Sequence, residues 1–199
     1  LWTDDYMHLK AFCAAYTSAY IANLLTVSGV EVFAYSHIAY LNPRLGGYAA
    51  TQLIGPNNEK WAPYNVMEGW QMVLGDERLT VSATDVPPGI HIYAGKDSVT
   101  GRIGVMLASY GWANRTTRNL RLHLTGMTGT KRLRRYLVDP DHSSPWDNTA
   151  GPNSSPDAVG LPASMDLEEM EDVTDTGPHL RDIEVTVPKW STQFLVFDP

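Results

Sequence analysis

The densest set of chemically capable side chains in this 199-residue sequence lies in Arg135-Tyr136-Leu137-Val138-Asp139-Pro140-Asp141-His142-Ser143-Ser144-Pro145-Trp146. Carboxylates, an imidazole and hydroxyls so close together have the makings of a general acid/base pair or a metal site. The spacing argues against both. Asp139, Asp141 and His142 make a poor ligand set for a transition metal. Asp-Pro is a common turn former, and short polar side chains readily bond nearby backbone. His142 and Ser143 are therefore expected to tie this loop to its neighbours rather than to perform chemistry.

Other candidates are weaker. Cys13, the lone cysteine, sits in an apolar helix-like pattern and reads as a small buried hydrophobe. Glu168-Glu169 and Glu171-Asp172 read as a solvated acidic face. Trp112, Trp146 and Trp190 could form a sugar-stacking platform, but isolated tryptophans among alternating strands more often pack inside. Asn114-Arg115-Thr116 and Asn153-Ser154-Ser155 are glycosylation sequons, meaningful only in a secreting host. No phosphate-cradling glycine loop, zinc-spaced Cys/His set or Gly-x-Ser-x-Gly elbow occurs, so neither cofactor nor metal is expected. A formal charge of −7 without a basic block points away from nucleic acid. No run of about 18 apolar residues exists, and no membrane span is expected. The chain opens on Leu1 without a basic region and apolar core, so no signal peptide is read and a fragment lacking its N-terminus is expected. An extracellular or a cytoplasmic location both stay open.

The elements that must position these residues fall into two regimes. Thr3-Asp4-Asp5 looks like a helix start, and Leu9, Phe12, Cys13, Tyr16, Tyr20, Leu24 and Val27 follow at spacings of three and four, ended by Ser28-Gly29. Residues 30–38 read as a buried strand and 42–58 as a long surface loop. Pro63 suits a first helical turn, with Tyr64, Met67, Trp70, Gln71 and Leu74 lining a second helix closed by Gly75. After Gly75 the period becomes two. Leu79-Val81, Ile90-Ile92, Ile103-Val105-Leu107, Leu120-Leu122-Leu124, Ile183-Val185-Val187 and Phe194-Val196 are expected as antiparallel strands with one wet face. Residues 147–164 form a long irregular excursion. One buried strand between two helices has no sheet of its own, so the first part looks like the last piece of a larger α/β unit.

Four places, read in order, resemble family 39 glycoside hydrolases, the group of β-xylosidases and α-L-iduronidases. The helix over 6–27 followed by Val30-Glu31-Val32-Phe33-Ala34-Tyr35 resembles the seventh helix and eighth strand of a (β/α)8 barrel. Gly46-Gly47-Tyr48 and Trp61-Ala62-Pro63-Tyr64 resemble the loop and opening of its eighth helix. Gly75-Asp76-Glu77-Arg78-Leu79 resembles the junction into a β-sandwich, and Arg135 to Trp146 resembles a segment of that sandwich.

The resemblance implies an α/β plus all-β fold: the C-terminal helix–strand–helix of a (β/α)8 barrel over 1–75, incomplete, then an accessory antiparallel β-sandwich over 76–199. It implies a retaining glycosidase with two glutamates, following the fourth and seventh barrel strands. This chain begins after both, so no catalytic residue is expected in it, and its partners are a carbohydrate substrate and the missing barrel segment. Barrel strands present their C-terminal ends to the active site. Tyr35, Ser36, His37 and Tyr40 are thus the candidate substrate-binding residues, with core packing as the alternative for Tyr35 and a structural role for His37. Glu31 lies at the opposite, structural end of that strand. The family often carries a tryptophan near Ser36, which this chain lacks. Two rival expectations are a family 51-like arabinofuranosidase fragment and a non-catalytic carbohydrate-binding or scaffolding β-sandwich.

Overall fold

The computed structural model of the chain describes residues 11–27, 53–54, 58–110, 116–127, 129–145, 147, 164–175 and 182–199. The strand expected over 30–38, most of the loop after it and all but the two end residues of the excursion expected over 147–164 lie outside these residues. Among the described residues two helices, α1 (Ala11–Leu24) and α2 (Ala62–Val73), are followed by eight strands: β1 (Glu77–Arg78), β2 (Ile90–Lys96), β3 (Ile103–Ser109), β4 (Arg118–His123), β5 (Lys131–Val138), β6 (Glu168–Asp175), β7 (Asp182–Val187) and β8 (Thr192–Asp198). Six strands form one sheet in the order β1-β2-β3-β8-β5-β6, and β4 pairs with β7 as a separate ribbon. Every pairing is antiparallel.

Alternation decides what covers each face of the large sheet. Tyr93, Met106, Ala108, Tyr136, Val138, Phe194 and Val196 pack against both helices. Their neighbours Ala94, Val105, Leu107, Leu133, Leu195 and Phe197 pack against Val185 and Val187 of the ribbon. Strands β3 and β8 are therefore buried on both faces, correcting the expected single wet face. The reason is position: they are the inner strands of the sheet, with helices on one side and the ribbon on the other.

The helices dock more closely than large side chains would allow. On α1 the buried residues include Ala11, Ala14, Ala15, Ser18 and Ala22, whereas Tyr16 and Tyr20 remain 46% and 45% exposed. The expected aromatic face is thus not the buried one. The small residues let α1 approach α2, where Trp70 Nε1 donates to Ser18 Oγ at 3.3 Å. On α2 the inward stripe is Ala62, Val66, Gly69, Trp70 and Val73, while Gln71 and Leu74 are exposed. A Cβ at Gly69 would lie 2.1 Å from the Phe194 ring, and one at Gly104 2.3 Å from Val73 Cα. Glycine is required at both by close approach alone.

One further expectation is corrected. Leu79-Val81 is not a strand: pairing ends as Leu79 donates its N–H to Ala94 O at 2.9 Å, and Val81 is 41% exposed. Pro87 and Pro88, which lack N–H donors, keep the following stretch out of the ladder. The acidic run is itself edge strand β6, paired with arginine-rich β5. Arg132 reaches Asp172 and Arg135 reaches Glu171 across that pair. Such charges also protect a sheet edge from pairing with other chains.

His91 sits half-buried on β2, and burial pushes its pKa below the ordinary 6.5. A proton is then bound less readily in the folded than in the unfolded chain, so stability is fully present above the ordinary value and falls as pH drops through it. His91→Gln is expected to flatten the decline in Tm between about pH 7 and 5, checked by thermal melts at several pH values. An unchanged slope would contradict the assignment.

Candidate functional site

The candidate pocket residues Tyr35, Ser36, His37 and Tyr40 lie outside the described residues, as do Glu31, Trp112, Trp146 and both sequon asparagines. The Asp139–Ser144 loop is described in full. Asp139 is buried, and its Oδ1 accepts the backbone N–H groups of Asp141 and His142 at 2.9 and 2.8 Å. His142 Nδ1 lies 2.8 Å from the same oxygen, and donates to it in the tautomer that carries the proton on that nitrogen. Ser143, at φ +56°, donates from Oγ to Leu137 O at 2.7 Å and accepts from the Glu168 N–H at 2.8 Å. Ser144 donates to Asp147 Oδ2 at 2.7 Å, which also accepts the Ala11 N–H at 2.8 Å. Asn65 on α2 closes the set: its Nδ2 donates to Ser143 O at 2.7 Å and Met165 O at 3.0 Å.

These groups are used up in holding α1, α2, β5 and β6 together. The carboxylate of Asp139 faces backbone donors, not an open cavity, and cannot serve as a proton shuttle without breaking the turn. Cys13 is buried on α1. Trp190 is half-buried, edge-on to Phe12 at 5.8 Å with the Lys189 ammonium 5.1 Å from its ring centroid.

An open groove of about 600 Å³ lies between α2 and the β5–β6 edge, lined by Lys60, Glu68, Gln71, Met72, Tyr136, Asp166 and Leu167. Lys60 is its hub. Its ammonium lies 2.8 Å from Asp166 and 3.3 Å from Glu68, and 5.3 Å from the Tyr64 ring centroid. The bond to Asp166 holds its pKa above the ordinary lysine value. Its backbone N–H donates to Ser164 Oγ at 2.8 Å. The Tyr136 hydroxyl accepts from Arg134 Nη1 at 2.9 Å, and burial together with a hydrogen bond to Glu169 raises the phenol's pKa. Two carboxylates on one ammonium form an ion-paired clamp of net negative charge rather than an acid paired with a nucleophile. Among the described residues no group of three or more His, Cys, Asp or Glu side chains is placed to hold a metal ion, and no helix is long and apolar enough to cross a membrane.

The groove was only half legible in the sequence. Tyr64, Glu68, Gln71 and Met72 form a helical stripe at spacings of three, four and eight, readable from period alone. Asp166 reaches Lys60 from 106 residues away, and no local pattern announces that pairing.

No protein-family model matches the sequence, and no curated protein matches it. Solved structures do. A bacterial orthologue of human α-L-iduronidase is similar at a TM-score of 0.71 and 15% identity, over 100% of this chain and 40% of that one. A monomeric β-xylosidase from Caulobacter crescentus CB15 gives a TM-score of 0.69 and 15% identity over 98% and 43%. The GH39 enzyme from Xanthomonas axonopodis pv. citri gives 0.62 and 14% over 100% and 43%. The chain therefore spans about two fifths of the length of these structures. At such identities the likeness is one of fold, and the fold is that of the C-terminal portions of glycoside hydrolases.

Proposed function

We propose that this chain is the C-terminal, non-catalytic part of a retaining glycoside hydrolase of the family 39 type, acting on xylosidic or related O-glycosidic bonds. The observation that carries this reading is likeness of fold along essentially the whole chain to three glycosidases that are each more than twice as long. In it, residues 1–75 supply the last helix–strand–helix of a (β/α)8 barrel and 76–199 the accessory sandwich. Tyr35, Ser36, His37 and Tyr40 line the sugar pocket. The two glutamates belong to a segment outside this chain, held about 5 Å apart as retention requires. The Asp139–Ser144 loop and Asn65 brace the sandwich against the two helices.

The test is the full-length gene product, assayed on aryl xylosides, arabinofuranosides and uronides, with the first-formed anomer followed by proton NMR. Turnover of a xyloside or uronide with retention is expected. Turnover confined to arabinofuranosides would favour the family 51 type. Inversion would overturn the retaining mechanism, and binding without any turnover would leave a carbohydrate-binding module in its place.

A further inference from the structure

We propose that the groove between α2 and the β5–β6 edge is a surface subsite for a neutral oligosaccharide, held by the Lys60–Glu68–Asp166 clamp, Gln71 and Tyr136. The choice of a sugar rests on the glycosidase reading above; the choice of a neutral one rests on the groove itself. Sugar hydroxyls both donate and accept, so a site for them needs both kinds of partner close together. The third N–H of the Lys60 ammonium and the amide nitrogen of Gln71 supply donors, and Glu68, Asp166 and the Gln71 amide oxygen supply acceptors. Met72 and Leu167 offer an apolar wall to the C–H faces of a pyranose ring.

The side chains are already ordered. Lys60 is fixed by two carboxylates and the Tyr64 ring, and Tyr136 by Arg134 and Glu169. A ligand therefore meets a preorganised surface and loses less affinity to side-chain ordering. The groove is about 600 Å³ and open to solvent, so an oligosaccharide would lie along it with one side in water rather than be enclosed.

Charge selects among sugars. One ammonium against two carboxylates leaves the groove net negative, and the charge of that ammonium is already paired with both. An anionic sugar, a phosphate or a sulfate ester would meet like charge, with no unpaired cation among the described residues that line the groove. Asp166, with its side chain 86% exposed, stands at the open rim where it repels such ligands first.

The test is a titration of the isotope-labelled 199-residue chain with xylotriose and, separately, with sodium glucuronate, read at the Gln71 side-chain amide and the Met72 methyl. Saturable shifts with xylotriose at a Kd of about 1–10 mM are expected, with none for glucuronate. Gln71→Ala, an exposed position that the fold does not need, is expected to weaken binding by about fivefold or more. Lys60→Met, which frees both carboxylates, is expected to abolish it. Absence of saturable shifts at these probes, equal binding of glucuronate, or unchanged affinity in Gln71→Ala would each overturn the subsite. The glycosidase reading fails separately: xylotriose bound here while the full-length protein turns over no glycoside would sink that reading and leave the groove standing.

Discussion

Gly104→Ala is expected to lower the melting temperature by about 5–10 °C, the equivalent of about 2–3 kcal/mol in a chain of this size. The new methyl would lie 2.3 Å from Val73 Cα and 2.7 Å from Val73 O. Those are backbone atoms, which cannot swing aside as a side-chain end can. Gly95, paired directly with Gly104 across β2 and β3, faces the same turn, since a Cβ there would lie 2.8 Å from Val73 O. The two glycines form a slot into which the last turn of α2 settles. Opening it means lifting α2 off the sheet and loosening Phe194 and Met106, both wholly buried beneath the helices. A melt within about 1 °C of the parent would contradict this packing.

Asn65→Leu should cost about 2–4 kcal/mol despite its nearly equal volume. Asn65 is fully buried, and one amide nitrogen serves two carbonyls, Ser143 O and Met165 O. Leucine would leave both without that donor, the Ser143 carbonyl in a buried place and the Met165 carbonyl in a part-buried one. The loss is expected to appear as faster amide exchange through residues 139–144 and at the start of β6, in addition to a lower Tm. Asn65→Asp is expected to be worse at neutral than at acid pH, because a carboxylate would face two carbonyl oxygens. Protection unchanged in the 139–144 loop would contradict the bracing role of this side chain.

How far the sequence discloses the fold depends on what stabilises each element. Strands β2, β3, β4, β7 and β8 bury one or both faces in apolar cores, and period-two spacing reveals them. Strand β6 offers only Met170 and Val173 among its acids, so alternation is nearly silent there. It is held by partners on β5, opposite Arg134, Arg135 and Tyr136, which only the register exposes. The start of α2 was legible from Pro63, but its inward stripe was not, because Gly69 contributes by what it lacks. On α1 the same applies more strongly: alanines and serines carry little hydrophobic weight, so the periodic signal is dominated by Tyr16 and Tyr20, which lie on the exposed face.

The candidate sites divide along the same line. The chemistry implied by Asp139, Asp141 and His142 dissolves once backbone donors are seen around Asp139, and the local spacing already argued for a turn. The groove rests on Lys60 meeting Asp166, a contact made by the fold. Composition gives both residues as ordinary surface charges; only the sheet edge and helix that carry them make them neighbours.

The most direct measurement of the central claim is an activity assay on the purified 199-residue chain itself. With an aryl xyloside and an aryl iduronide at high protein concentration, release of the aryl alcohol should not exceed the buffer rate, while the full-length gene product hydrolyses at least one of them. Turnover by the chain alone, scaling with its concentration and surviving repurification, would place a catalytic pair within these residues and contradict the account.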